Sequence, residues 1–199
     1  MKDGVGNDYL AIAWQYPGNA RDVIPAEFSR VANPFKVVGA NLDTWTGIGG
    51  KTIADLKSGT NNFANPPQKS ERLQQALEAP SDRDENFGSR MSGWLVPPIT
   101  ADYEFWIASD DNGEFWLSTN SAPSNKVRVC RQPNFASPRW WDEYPEQKSL
   151  PISLKAGQSY YYEVRLMFVA WILCLKCLFP VYSELIELDF LLYSRCDRL

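Results

Sequence analysis

Between Tyr103 and Leu117 the chain alternates as a β-strand must, and two neighbouring carboxylates interrupt it. Tyr103, Phe105 and Ile107 share one face, with Glu104 and Trp106 on the other, and Phe115 and Leu117 resume the pattern beyond the interruption. Asp110-Asp111-Asn112-Gly113 lies between. Asn-Gly is a strong signal for a two-residue hairpin, because a type I′ turn needs positive φ at both central positions. The expectation is a hairpin with Asp110 and Asp111 at its rim. In an ordinary strand two neighbours point to opposite faces. Two carboxylates converging from adjacent positions need an unusual backbone and a cation to offset their repulsion.

The rest of the chain repeats this character. Leu10, Ile12 and Trp14 form one face of a strand over residues 5–16, and Tyr9, Ala11 and Ala13 the other. Short strands are expected near Met91–Val96, Val127–Arg131, Ile152–Leu154 and Tyr160–Leu166, separated by Pro and Gly punctuation. Residues 33–70 read as loops with short apolar pieces, and 133–147 as a long aromatic loop containing Trp140-Trp141. A short helix fits Ser70–Glu78, with Ser70 as N-cap and Pro80 as its stop. Many short strands with almost no helical periodicity predict an all-β antiparallel sandwich or barrel.

Composition narrows the chemistry. The chain has no histidine, which removes Ser-His-Asp and Cys-His catalysis and His-containing zinc sites. A metal would have to be held by oxygen, which points to calcium or magnesium. A net charge of −4 without a basic stripe argues against nucleic acid as a partner. Cys174 and Cys177 have CxxC spacing, but they lie in an apolar run and read as ordinary thiols. The spaced acids from Asp82 lack the glycine and closing glutamate of a calcium loop and read as solvated. The start of the chain shows no apolar signal region. Leu166–Val181 is nearly all apolar, yet shorter than a membrane-crossing helix requires. Membrane contact through this tail is therefore a weak expectation.

Several segments, in order and spacing, carry a family likeness. They are Trp45–Gly50 with Ile53–Leu56, Asn86–Arg90 leading into Gly93–Pro98, Tyr103–Asp111, Phe115–Thr119, Gln147–Gly157 and Tyr160–Glu163. Together they resemble the lectin-like domain first described in anthrax protective antigen, the PA-fourteen domain. The resemblance implies an antiparallel β module of a larger secreted or cell-surface protein. It implies that Asp110 and Asp111 are joined by a cis peptide and hold one calcium ion that coordinates sugar hydroxyls. A nearby loop group, Asn112, is expected to tune the ligand. Trp140-Trp141 reads either as a stacking platform or as a loop over the core edge.

Both ends depart from the family pattern. The usual final strand after Glu163 is missing, and its near match stands at Gly4–Trp14. Residues 1–32 are thus read as the tail of an upstream copy, 33–167 as one copy lacking its last strand, and 168–199 as an apolar tail foreign to the family that could be helical. The alternative is that residues 5–16 fold back as a permuted last strand, with residues 9–14 in the sheet containing Tyr160–Leu166. The expected function is non-catalytic, calcium-dependent carbohydrate binding, with a structural or protein-interaction module as the alternative. A glycosidase insert is a third reading, but no paired acid and nucleophile is recognisable.

Overall fold

The computed structural model describes residues 9–31, 37–48, 52–58, 63–81 and 86–168. The terminal segments, with the apolar tail from residue 169 on and the CxxC pair, lie outside them, as do residues 82–85 of the Asp82 acidic loop. No helix among the described residues is long and apolar enough to cross a membrane.

Among the described residues eleven strands run in chain order: β1 (Tyr9–Tyr16), β2 (Asn19–Val23), β3 (Ser29–Arg30), β4 (Ala40–Thr46), β5 (Lys69–Leu73), β6 (Phe87–Leu95), β7 (Ala101–Asp110), β8 (Asn112–Ser118), β9 (Lys126–Gln132), β10 (Ile152–Leu154) and β11 (Tyr160–Phe168). The only α-helix described is one turn, Asp55–Ser58. A front sheet has the order β10-β7-β1-β2. A back sheet has the order β5-β4-β6-β11-β8-β9, with β3 pairing on β6. All the pairings are antiparallel. The all-β fold expected from the alternation is the fold observed.

The alternation explains the core directly. Leu10, Ile12 and Trp14 of β1 and Tyr103, Phe105 and Ile107 of β7 face Phe87, Met91, Phe115, Tyr162, Val164 and Leu166 of the back sheet. The outer faces are covered as well. Trp45, Ile48, Ile53, Leu56 and Met167 form a small cluster behind the back sheet. Tyr9, Ala11, Val23 and Ala108 form another on the outside of the front sheet, against Ala76 and Trp141. Strands buried on both faces read as continuous apolar runs, which is why Tyr9–Trp14 has no polar side.

Three expectations are corrected. Asp110 to Gly113 is not a hairpin: β7 lies in the front sheet and β8 in the back, paired with β11 and β9. Gly113 is a strand residue whose φ is not positive. Its lack of a side chain serves close packing, since a Cβ there would stand 2.5 Å from Ser109 Oγ. Residues 70–78 are not helical. Lys69–Leu73 pairs with β4, and the Ser70 hydroxyl donates to Asp43 instead of capping a helix. Leu73 and Leu77 are four apart, as on a helix, but both reach the core from non-helical backbone. Finally, β1 is not in the sheet containing Tyr160–Leu166. It pairs with β7 in the facing sheet, in unbroken register from Tyr9↔Asp110 to Gln15↔Glu104.

Candidate functional site

β7 brings Asp110 to the end of the front sheet, and one residue, Asp111, carries the chain across to β8 in the back sheet. The Asp110–Asp111 peptide bond is cis. Asp110 is 8% exposed and Asp111 is half-buried. Ser109 Oγ donates to the Asp111 carbonyl at 3.1 Å. The sequence placed these two carboxylates at the rim of a hairpin; they stand instead where the chain passes from one sheet to the other.

One wall of the site is the segment after β9. Asn112 Nδ2 donates to the Pro133 carbonyl at 2.8 Å, and Ala136 N donates to the Ser109 carbonyl at 3.1 Å. Asn112 is therefore tied to the wall through its amide nitrogen. A second wall comes from three distant segments. Tyr9 lies opposite Asp110 in the ladder, so both side chains leave the same face of the sheet. The Tyr9 hydroxyl donates to Glu78 Oε1 at 3.0 Å, and Arg139 holds Glu78 with two hydrogen bonds of 3.2 and 2.8 Å. Burial first, and then the Glu78 carboxylate, raise the Tyr9 phenol well above its usual range, so it remains a donor.

The loop over residues 133–149 is fastened to the front sheet. Gln147 Nε2 donates to the carbonyls of Ile107 and Trp140, its Oε1 accepts from Tyr144 N, and Ser149 exchanges hydrogen bonds with Phe105. Arg21 grips Asp142 with two bonds of 2.7 and 2.8 Å. Trp141 packs inward against the outer cluster of the front sheet, while Trp140 is 56% exposed. The tryptophan pair thus divides, with one ring in packing and one in solvent.

A cleft of about 790 Å³ opens elsewhere, between the edges of β9 and β10. It is lined by the first residues of β7, and Asp110 stands at the last. Cavity size therefore does not lead to the carboxylates. Among the described residues no group of three or more acidic or cysteine side chains could together hold a metal. An ion at Asp110 and Asp111 would draw its other ligands from carbonyls, water or a bound molecule.

The GLEYA domain family, a lectin-like, glycan-binding family, matches residues 87–179, which contain both aspartates. Curated relatives match over similar lengths. The mouse N-acetyl-beta-glucosaminyl-glycoprotein 4-beta-N-acetylgalactosaminyltransferase 1 is 33% identical over 90 residues, covering 43% of this chain and 9% of that protein. Human fibrocystin-L is 34% identical over 82 residues, 41% of this chain and 2% of that protein. Mouse fibrocystin is 31% identical over 85 residues, 39% of this chain and 2% of that protein. The chain thus spans less than a tenth of these relatives.

Proposed function

We propose that this chain is a non-catalytic, calcium-dependent carbohydrate-binding module of the PA-fourteen type, working as part of a longer extracellular or cell-surface protein. The observation that carries the reading is the glycan-binding GLEYA match lying over two adjacent carboxylates at the sheet junction. The GLEYA family is related to the lectin-like domains that the sequence resembles. The donor set also suits the ion. Two carboxylates offer up to four hard oxygens, and calcium takes six to eight. The open positions would be filled by water in the free protein and by a vicinal diol of a sugar in the complex. Asp110 and Asp111 would hold the ion, and the Asn112–Pro133 bond would fix the wall beside it. The similarity to one segment of a glycosyltransferase and to fibrocystin proteins is consistent with a module carried in large proteins.

Unfolding temperature in calcium and in excess chelator, combined with a glycan array, tests the reading. A ligand at a hundred times its Kd stabilises the folded state by about 2.7 kcal/mol. Calcium should raise the midpoint, and Asp110→Asn and Asp111→Asn should each abolish both that rise and any array signal. A midpoint indifferent to calcium, with an array blank in both conditions, would refute the proposal and favour a structural spacer.

A further inference from the structure

The sandwich is open along one side. β9 ends the back sheet there and β10 the front, and among the described residues no strand pairs with the outer edge of either. The cleft of about 790 Å³ lies between these two edges. Its floor is core, since Leu117, Leu154 and Tyr160 are buried. Its rim is apolar and uncovered, with Val127 55% and Leu150 83% exposed. A free strand edge beside exposed core side chains is a template for one more strand.

β9 also sets what that strand must carry. Lys126, Val127 and Arg128 lie opposite Ser118, Leu117 and Trp116. Leu117 faces the core, so Val127 faces the cleft while Lys126 and Arg128 face out. A second copy paired here edge to edge would set cation against cation, which is unfavourable. A strand with an apolar residue between two acids fits instead. The cations can turn to it without orphaning their present partners. Glu114, 2.8 Å from Arg128, also accepts from Trp116 Nε1 at 3.0 Å and stands 3.7 Å from Arg165. Glu163, 3.5 Å from Lys126, keeps Arg165 at 2.6 Å and the Tyr161 hydroxyl at 3.1 Å.

Beyond the described residues the sequence has this pattern. In Ile186-Glu187-Leu188-Asp189-Phe190 apolar residues alternate with two acids. We infer that this segment adds to the outer edge of β9 as an antiparallel strand and closes the cleft. Glu187 then lies opposite Arg128, Leu188 opposite Val127 and Asp189 opposite Lys126. Ile186 and Phe190 share the face of Leu188 and enter the cleft. A slip of one residue would turn both acids into it, so the pattern specifies the register. The chain direction agrees. Met167 pairs with Asn112, and Gly113 with Gln132, so β11 ends at the Gln132 end of β9. An antiparallel partner of β9 starts from that end. Crossing β8 and β9 to reach the new edge takes three strand spacings, about 14 Å. Residues 169–185 can span roughly 56 Å when extended, so the connection is not strained. The docking needs neither an ion nor a sugar and goes beyond the lectin reading.

The test uses the full chain with Cys174, Cys177 and Cys196 changed to Ser. Val127→Cys is combined with Leu188→Cys and, separately, with Glu187→Cys; each protein is oxidised and its disulfides are mapped by mass spectrometry. The first pair should bond within one chain about ten-fold more than the second, whose side chains leave opposite faces of the sheet. No bond in the first pair, equal yields in the two, or bonds only between chains would overturn the docking. Hydrogen exchange gives a second readout without new cysteines. Amides within Lys126–Val129 should exchange about ten-fold faster when Glu187→Lys and Asp189→Lys are combined than in wild type. Equal exchange in the two proteins would equally overturn it.

Discussion

Ile12 of β1 tests whether the N-terminal strand belongs to the folding unit. It is fully buried, paired with Ile107, and packed in the main core. Ile12→Ala removes three carbons, worth about 2.4 kcal/mol at ~0.8 kcal/mol each. β1 is walled on both sides by β7 and β2, so the backbone cannot easily collapse into the space. A residual cavity then adds to the transfer loss, and about 3–4 kcal/mol is expected, within the range for such truncations. For a chain of this size that lowers the unfolding midpoint by roughly 6–15 °C. Urea unfolding followed by tryptophan fluorescence and by far-ultraviolet circular dichroism gives the difference at constant m-value. Leu150→Ala, at an exposed position, is the control and should leave the midpoint in place. If Ile12→Ala unfolds at the wild-type urea concentration, residues 9–16 do not pack as a core strand, and the front sheet described above is wrong.

Three further outcomes follow from particular contacts. Cys130 is free and buried, and that burial pushes its thiol far above the usual range. Peptide mapping after alkylation at pH 8 should find it unmodified in native protein and modified in urea; native labelling would contradict its packing. Arg139 has φ +57°, in a turn closed by Trp140 N donating to the Ser137 carbonyl at 2.9 Å, and its exposed ion pair with Glu78 is worth only about 0–1 kcal/mol. Arg139→Gly should therefore be more stable than Arg139→Ala by about 1 kcal/mol, since only glycine takes that backbone without strain, and equal midpoints in urea would refute the strain. Burial raises the Glu163 carboxyl, but Arg165 at 2.6 Å, with Lys126 and Arg90, outweighs it and holds the group below its ordinary 4.5. A depressed carboxylate stabilises the fold above that ordinary value and loses its contribution as pH falls through the folded value. The stability gap between wild type and Glu163→Gln should accordingly be full near neutrality and shrink below about pH 4.5; a gap independent of pH would disprove the coupling.

The strands were legible because their apolar residues alternate. Tyr103, Phe105 and Ile107 could be assigned to one face before any partner was known, and the core uses that face. Connections were harder. Asn112-Gly113 carries the same local signal whether the chain turns back on itself or crosses to a second sheet. The deciding contact, Ser109 Oγ against the space at Gly113, belongs to the tertiary structure. Ser70–Glu78 was misread for a related reason: Ser70 and Pro80 read locally as a helix cap and stop, and the pairing with β4 overrides them. At the site, Asp110 and Asp111 stood out as neighbours in sequence. Tyr9, Glu78 and Arg139 come from three distant segments, and no local pattern joins them.

The passage from β7 to β8 takes a single residue. A link that short leaves almost no room for insertion, so the rim can hardly be lengthened or reshaped there without changing how the sheets stack. Residues 133–147 are different: they lie over an already complete sheet and are fastened at discrete points such as Gln147 and Asp142. Sequence variation can therefore accumulate in that covering loop while the carboxylate pair keeps its position. On the proposed lectin reading the architecture divides a fixed ion site from an exchangeable face, so a binder built on this scaffold should be redirected by redesigning residues 133–141 and leaving Ser109–Gly113 alone.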